Sequence, residues 1–118
     1  MKINCLESSG VLIYRVSGSI TFENYDQVVR ELDYAREKGM TNIIINWQEV
    51  VGLDTSGLQT LVALIRGKKK DPSFNFSLVT NKPAHLKLIN LCGFDKMIKI
   101  YPTEERALKD LAAKKTDE

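Results

Sequence analysis

The sequence predicts an α/β domain built on a mixed, mostly parallel sheet of about five strands with about four helices. Short apolar stretches of strand length alternate along the chain with segments in which apolar residues recur at helical spacing. The consecutive residues Ile43, Ile44 and Ile45 are typical of a strand covered on both faces, as in a parallel sheet. Near the N-terminus, a Ser-Ser-Gly turn between two strand-like stretches predicts a hairpin, and therefore one antiparallel edge strand.

The strands are predicted from short apolar or alternating stretches. They cover residues 2–6, 11–16, 42–47, 74–79 and 97–101. Gly18 is expected to end the second strand. Because 118 residues can close one core but are too few for two ordinary domains, we expect a single domain over 1–113 and a frayed, charged tail over 114–118.

The helices are predicted from apolar stripes between capping and terminating residues. Thr21 is expected to cap the first helix, and a proline stands at the start of the third. The expected first helical residues are Phe22, Thr55, Pro83 and Glu104. The first three helices are expected to end at or near Gly39, Gly67 and Gly93, and the fourth continues past Leu111.

The composition indicates a small soluble domain of the cytoplasm. A formal charge of +2 with a single dense basic run, 68–70, gives no reason to expect a nucleic-acid partner. No apolar run approaches the ~18 residues needed to span a bilayer, so we expect no membrane insertion. Cys5 and Cys92 lie far apart without metal-binding spacing, which predicts two buried free thiols in a reducing compartment.

The residue patterns of common enzymes are missing. His85 is the only histidine, so a histidine-rich metal site is excluded, and we expect this side chain to be partly exposed near the start of a helix. There is no glycine-rich nucleotide-binding loop, and Asp54 stands where a nucleophile elbow requires glycine. The sequence therefore predicts no enzyme, no cofactor and no metal. Trp47, just past the isoleucines, is interpreted as a packing residue.

The segment Leu53-Asp54-Thr55-Ser56-Gly57 separates a strand from a helix. The Asp54 carboxylate can cap that helix, and Thr55 and Ser56 would then lie in its first turn. A purely structural cap is the default interpretation. Two arguments favour a functional role instead. Functional groups of parallel α/β sheets gather where the carboxyl end of a strand meets the next helix. A phosphate on the hydroxyl of Thr55 or Ser56 would also be tolerated, because a helix N-terminus presents unpaired N–H groups.

Most of the chain, roughly Ile3 to Leu111, resembles the STAS domain, the family of bacterial anti-sigma factor antagonists. The resemblance rests on Gly18 after the second strand, on the Ile-Ile-Ile-Asn strand, and above all on Leu53-Asp54-Thr55-Ser56-Gly57-Leu58. The C-terminal sequence LINLCGFDKMIKIYPTEERAL also resembles the final helix–strand–helix of that family. This resemblance implies the STAS fold.

The resemblance also implies a mechanism and partners. In such antagonists the hydroxyl residue directly after the aspartate is phosphorylated, which corresponds here to Thr55, with Ser56 as second choice. The implied partners are an anti-sigma factor that is also a serine/threonine kinase of the histidine-kinase-like ATPase fold, and a metal-dependent phosphatase. The unphosphorylated protein would bind the kinase and free the sigma factor, and phosphorylation would break that binding.

Two departures from the family pattern concern the partner-binding surface. Family members usually carry serine at the phosphorylated position, where this chain has threonine. They also commonly carry acidic residues in the turn after the second strand, where this chain has Ser19 and Thr21. The residues expected to bind the partner are Ser19, Thr21, Phe22, Asp54, Thr55, Ser56 and Gly57.

A second function is compatible with the same fold. The domain could be a phosphorylation-independent interaction module, for example a subunit of a lipid-transport ABC complex, in which the motif only caps its helix. A small enzyme or nucleotide-binding protein whose site is not visible in the local sequence is the third alternative.

Overall fold

The computed structural model describes the backbone of residues 1–116 and the side chains of residues 1–111. The strands are β1 (Lys2–Ser8), β2 (Val11–Ile20), β3 (Asn42–Leu53), β4 (Asn75–Val79) and β5 (Lys99–Tyr101). The α-helices are α1 (Tyr25–Glu37), α2 (Gln59–Lys70), α3 (Pro83–Leu91) and α4 (Glu104–Thr116). Two short 3-10 turns, Thr55–Leu58 and Phe94–Lys96, precede α2 and β5. The predicted order of strands and helices is confirmed.

The five strands form one sheet in the order β1-β2-β3-β4-β5. β1 pairs antiparallel with β2, and the remaining neighbours are parallel. The predicted single antiparallel edge strand is therefore confirmed. Because the parallel strands point the same way, the carboxyl ends of β2 and β3 meet at one edge of the sheet.

Helices cover both faces of the sheet. On one face, α1, α2 and α3 pack on a cluster that contains Ile43, Ile45 and Trp47. On the other face, α4 packs on a smaller cluster that contains Ile44 and Ile13. The three consecutive isoleucines are fully buried, as predicted, because successive strand side chains point to opposite faces and both faces are covered.

Gly18 does not end β2, contrary to prediction. It adopts the left-handed conformation with φ of 88°, and the register against β3 shifts beside it. Glycine takes this conformation without steric penalty, so the strand continues through the irregularity. The pairing resumes with Ser19 opposite Gly52 and Ile20 opposite Leu53.

The first and second helices also differ from prediction at one end. α1 begins at Tyr25 instead of Phe22, because residues 21–24 form a hydrogen-bonded turn. α2 continues through Lys70, past the predicted stop at Gly67. Gly67 is buried inside the helix, and a Cβ built there would lie 3.2 Å from the Phe74 ring, so this glycine permits close helix packing.

The burial of three side chains was predicted wrongly. Cys5 and Cys92 are free thiols but both are exposed. His85 is buried, with 4% of its surface accessible.

Helix α4 continues through Thr116, so it includes residues 114–116, which the sequence placed in a frayed tail. Residues 117 and 118 of that predicted tail lie outside the described part of the chain.

Among the described residues, the helices are too short or too polar to cross a bilayer.

Candidate functional site

The Asp54 motif lies at the edge of the sheet where β2 and β3 end. β3 ends at Leu53, and Leu53 pairs with Ile20, the last residue of β2. Ser19 contacts the same site from the neighbouring strand: a Cβ built on Gly52 would lie 2.6 Å from the Ser19 Oγ atom. Thr21 and Phe22 follow directly in the chain. The pairing therefore brings the two predicted parts of the docking surface to one edge.

Asp54 caps the turn that leads into α2, as predicted. Its backbone is extended, and its Oδ1 atom accepts the N–H of Ser56 at 2.9 Å and the N–H of Gly57 at 3.2 Å. The first turn is a 3-10 turn over Thr55–Leu58, and the α-helix follows at Gln59. A carboxylate at this end of a helix is also favoured by the helix dipole.

The cap can be tested by two substitutions at one position. Asp54→Ala is expected to lower the free energy of unfolding by about 1 kcal/mol, because two N–H groups lose their acceptor. Asp54→Asn is expected to retain most of that stability, since asparagine caps as well as aspartate without the charge. Urea denaturation of both variants measures the difference. Equal losses in the two variants would show that the charge, not the hydrogen bonds, stabilises this turn.

The residues of the motif differ sharply in accessibility. Thr55 is exposed, Ser56 is half-buried, and Gly57 is buried. A Cβ built on Gly57 would lie 2.4 Å from the Leu53 Cδ1 atom and 3.2 Å from the Ile20 carbonyl oxygen, so the turn packs directly on the strand ends. Of the two adjacent hydroxyls, that of Thr55 is therefore the more accessible to a modifying enzyme.

The turn before α1 presents Phe22 on a rigid support. Asn24 accepts the Thr21 N–H through Oδ1 at 2.9 Å and donates through Nδ2 to the Ser19 carbonyl at 2.9 Å. The backbone N–H groups of Asn24 and Tyr25 both donate to the Thr21 carbonyl. Phe22 is 69% exposed on this turn and precedes α1, whereas the sequence predicted it to be the first residue of that helix.

Asn24 is the residue of this site that the sequence interpretation missed. Its position just before an apolar-periodic segment was an available signal, because asparagine is a preferred residue at helix starts. Its side chain caps no helical N–H but fixes the preceding turn.

The charged residues near the motif in the chain and across the sheet edge are of both signs. Asp54 takes part in none of the salt bridges found among the described residues. Glu23 and Asp26, which follow Phe22 in the chain, are both exposed. Lys82, from the start of α3, donates instead to the Val50 carbonyl at 3.0 Å. A phosphate on Thr55 would add negative charge directly beside the Asp54 carboxylate.

A buried polar group links α3 to β3 beneath this edge. The Nδ1 atom of His85 lies 2.8 Å from the Thr80 hydroxyl, and the His85 ring packs edge-on against Trp47 with ring centroids 5.8 Å apart. Burial lowers the pKa of His85, the charge of Lys82 lowers it further, and a hydrogen bond with the Val50 backbone opposes both. A neutral, hydrogen-bonded imidazole in this position contributes to packing.

The motif presents polar and aromatic groups at the surface. Within the described part of the chain, no three His, Cys, Asp or Glu side chains converge as metal ligands. This edge of the sheet presents the accessible hydroxyl of Thr55 beside the carboxylate of Asp54. It also presents the exposed ring of Phe22 on a hydrogen-bonded turn.

Comparisons with known proteins identify this architecture. The family model of the STAS domain matches residues 2–107. The anti-sigma F factor antagonist of Paenibacillus polymyxa is 26% identical over 112 residues, covering 94% of this chain and 95% of that protein. The crystal structure of an anti-sigma factor antagonist from Mycobacterium paratuberculosis has 25% identity, a TM-score of 0.83 and coverage of 92% of both chains.

A more distant structure is similar in fold alone. The Bacillus cell fate determinant SpoIIAA, solved in its phosphorylated form, has 19% identity and a TM-score of 0.72, and the alignment covers 93% of this chain and 99% of that one. The predicted fold class is confirmed by these similarities together with the five-stranded mixed sheet.

Proposed function

The chain belongs to the STAS domain family, and on this premise we propose that it is an anti-sigma factor antagonist switched by phosphorylation of Thr55. Unphosphorylated, it binds a kinase that also acts as the anti-sigma factor. Phosphorylated, it releases that kinase, and a metal-dependent phosphatase resets the switch. The chain itself performs no catalysis in this scheme and needs no cofactor.

One observation carries this proposal: the hydroxyl residue that follows Asp54 is exposed, while Ser56 is half-buried and Gly57 is buried. The Thr55 side chain lies at the surface, whereas Gly57 and Leu58 are buried against the strand ends. A kinase can therefore reach the Thr55 hydroxyl without unfolding the helix start. Had Thr55 been buried, only the structural cap would remain as an explanation of the motif.

The proposed docking surface surrounds this hydroxyl. It consists of Ser19, Thr21, Phe22, Asp54, Thr55, Ser56 and Gly57. Phe22 supports it most directly, because an exposed aromatic ring on a turn that is already ordered loses little entropy when it enters a partner's pocket.

The free energies agree with a switch of this kind. A hundredfold loss of affinity corresponds to about 2.7 kcal/mol. Phosphorylation adds about −1.5 to −2 charges, and burying such a group in an interface without a matching cation is unfavourable by at least that amount. Because Asp54 is already negative and lies next to Thr55, no conformational change of the domain is needed.

The direct test is phosphorylation by a serine/threonine kinase of the histidine-kinase-like ATPase class. Such a kinase gene next to the gene for this chain would favour the proposal, and genes for ABC transporter subunits would favour the interaction module. After incubation with kinase and ATP, mass spectrometry of the tryptic peptide 39–66 is expected to find one phosphate, on Thr55. Thr55→Ala is expected to abolish phosphorylation, and Ser56→Ala to retain it. A phosphate on Ser56 instead would show that Ser56, and not Thr55, is the phosphorylated residue. Absence of phosphate from both residues would favour the phosphorylation-independent interaction module.

A further inference from the structure

Val51 is an exposed apolar residue at an irregularity of β3. Its side chain is 77% exposed. On one side of it in the chain, Val50 pairs with Gly18 of β2. The next pair joins Gly52 to Ser19, so the register passes over Val51 and leaves it without a partner residue in β2. A bulge of this kind redirects a strand side chain, and such bulges are frequent next to functional sites.

The packing of the domain does not require an apolar side chain at this position. Val51 belongs to neither hydrophobic cluster of the described residues. β4 pairs with β3 only as far as Asn46, so it does not cover residue 51 from the other side. Single exposed apolar residues are nevertheless common on protein surfaces. The argument for a partner therefore depends on what else lies at the same edge of the sheet.

A second exposed apolar residue, Phe22, lies at this edge together with Thr55. Four residues of chain join Val51 to Thr55, so their Cα atoms are at most about 14 Å apart. Phe22 follows Ile20 by two residues, and Ile20 pairs with Leu53. The Cα atoms of Phe22 and Val51 are therefore within about 20 Å of each other. A standard interface covers about 800 Å² of each partner, roughly 30 Å across, which is wide enough to include all three residues.

We propose that Val51 is a second apolar anchor of the docking surface, and that the kinase presents an apolar surface to Phe22 and Val51. This inference rests on the proposed function, because its partner is the kinase of the phosphorylation switch. The centre of a protein interface is usually its most apolar part. A phosphate on Thr55 would be buried near apolar groups of the kinase, where it loses hydration without gaining a cation. An apolar partner surface thus gives the physical reason for release.

The test compares two variants of Val51 by calorimetric titration with the same kinase and a non-hydrolysable nucleotide. Val51→Thr keeps the size and branching of the side chain but replaces a methyl group with a hydroxyl. It is expected to weaken binding about tenfold, because the interface would bury that hydroxyl without a partner. Val51→Ile stays apolar and is expected to bind within about threefold of the unmodified chain. Because Val51 is exposed, thermal unfolding of both variants should remain unchanged.

Met97→Thr is the matched control, and Thr55→Glu separates this inference from the proposed function. Met97 is 63% exposed and shortly precedes β5, at the opposite edge of the parallel strands from Thr55, so Met97→Thr should bind the kinase normally. If Thr55→Glu weakens binding but Val51→Thr does not, the anchor is wrong and the switch stands. If only Val51→Thr weakens binding, the anchor stands and the switch is wrong. Equal losses in Val51→Thr and Met97→Thr overturn the anchor, and no binding by the unmodified chain overturns both.

Discussion

Thr55→Glu is expected to lower the affinity of this chain for its cognate kinase about a hundredfold, whereas Thr55→Ala retains the affinity of the unmodified protein. The glutamate places a fixed negative charge beside Asp54 at the front of the first turn of α2. A loss of this size corresponds to about 2.7 kcal/mol, which desolvation and like-charge repulsion in an interface can supply. Isothermal titration calorimetry with the kinase and a non-hydrolysable nucleotide measures both affinities.

Two matched variants separate the effect of charge from other causes. Thr55→Gln has the size of glutamate without its charge, and it should lose much less affinity than Thr55→Glu. Gln59→Glu adds a charge to an exposed residue at the first position of the α-helix, and it should have little effect. If the Thr55→Glu and Thr55→Ala variants bind the kinase with equal affinity, the proposal of a phosphorylation switch is wrong. Thr55 would then be only a residue of the first turn before α2.

Trp47→Ala is expected to lower the free energy of unfolding by about 3–5 kcal/mol, the range measured for removal of large aromatic side chains from cores. Trp47 is fully buried in the cluster between the sheet and the first three helices, and it packs edge-on against His85. If the total stability lies near the lower end of the usual range of about 5–15 kcal/mol, such a loss leaves little or none. Chemical denaturation followed by circular dichroism measures it.

Trp47→Phe provides the control for this prediction. The Nε1 atom of Trp47 is buried and has no hydrogen-bond partner among the described residues. Phenylalanine keeps most of the apolar contacts and removes this unpaired donor, so the expected loss is below about 1.5 kcal/mol. A loss as large as that of Trp47→Ala would mean that the indole N–H is hydrogen-bonded in solution and that Trp47 has a role beyond packing.

The candidate site was only partly predictable from local sequence. The cap by Asp54 follows from residue type and position, because the side chain bonds to N–H groups two and three residues along the chain. The turn that carries Phe22 does not follow from residue type and position. Asn24 holds this turn through a hydrogen bond to the Ser19 carbonyl near the end of β2. That contact depends on where the strand ends, and the strand was predicted to end at Gly18.

Burial was the least predictable property. His85 is buried and the two cysteines are exposed, the reverse of what the sequence suggested. His85 is packed against Trp47 of β3 and hydrogen-bonded to Thr80, the residue that directly follows β4.

By itself, the sequence determined the order of strands and helices, the antiparallel edge and the helix start at Asp54, because each depends on contacts between residues close along the chain. Only the tertiary structure decided that β2 continues past Gly18, that α2 continues past Gly67, and that Thr55 is accessible while Gly57 is not. These features depend on pairing between β2 and β3 and on close packing of helices against the sheet. Such contacts join residues far apart along the chain, and no local pattern specifies them.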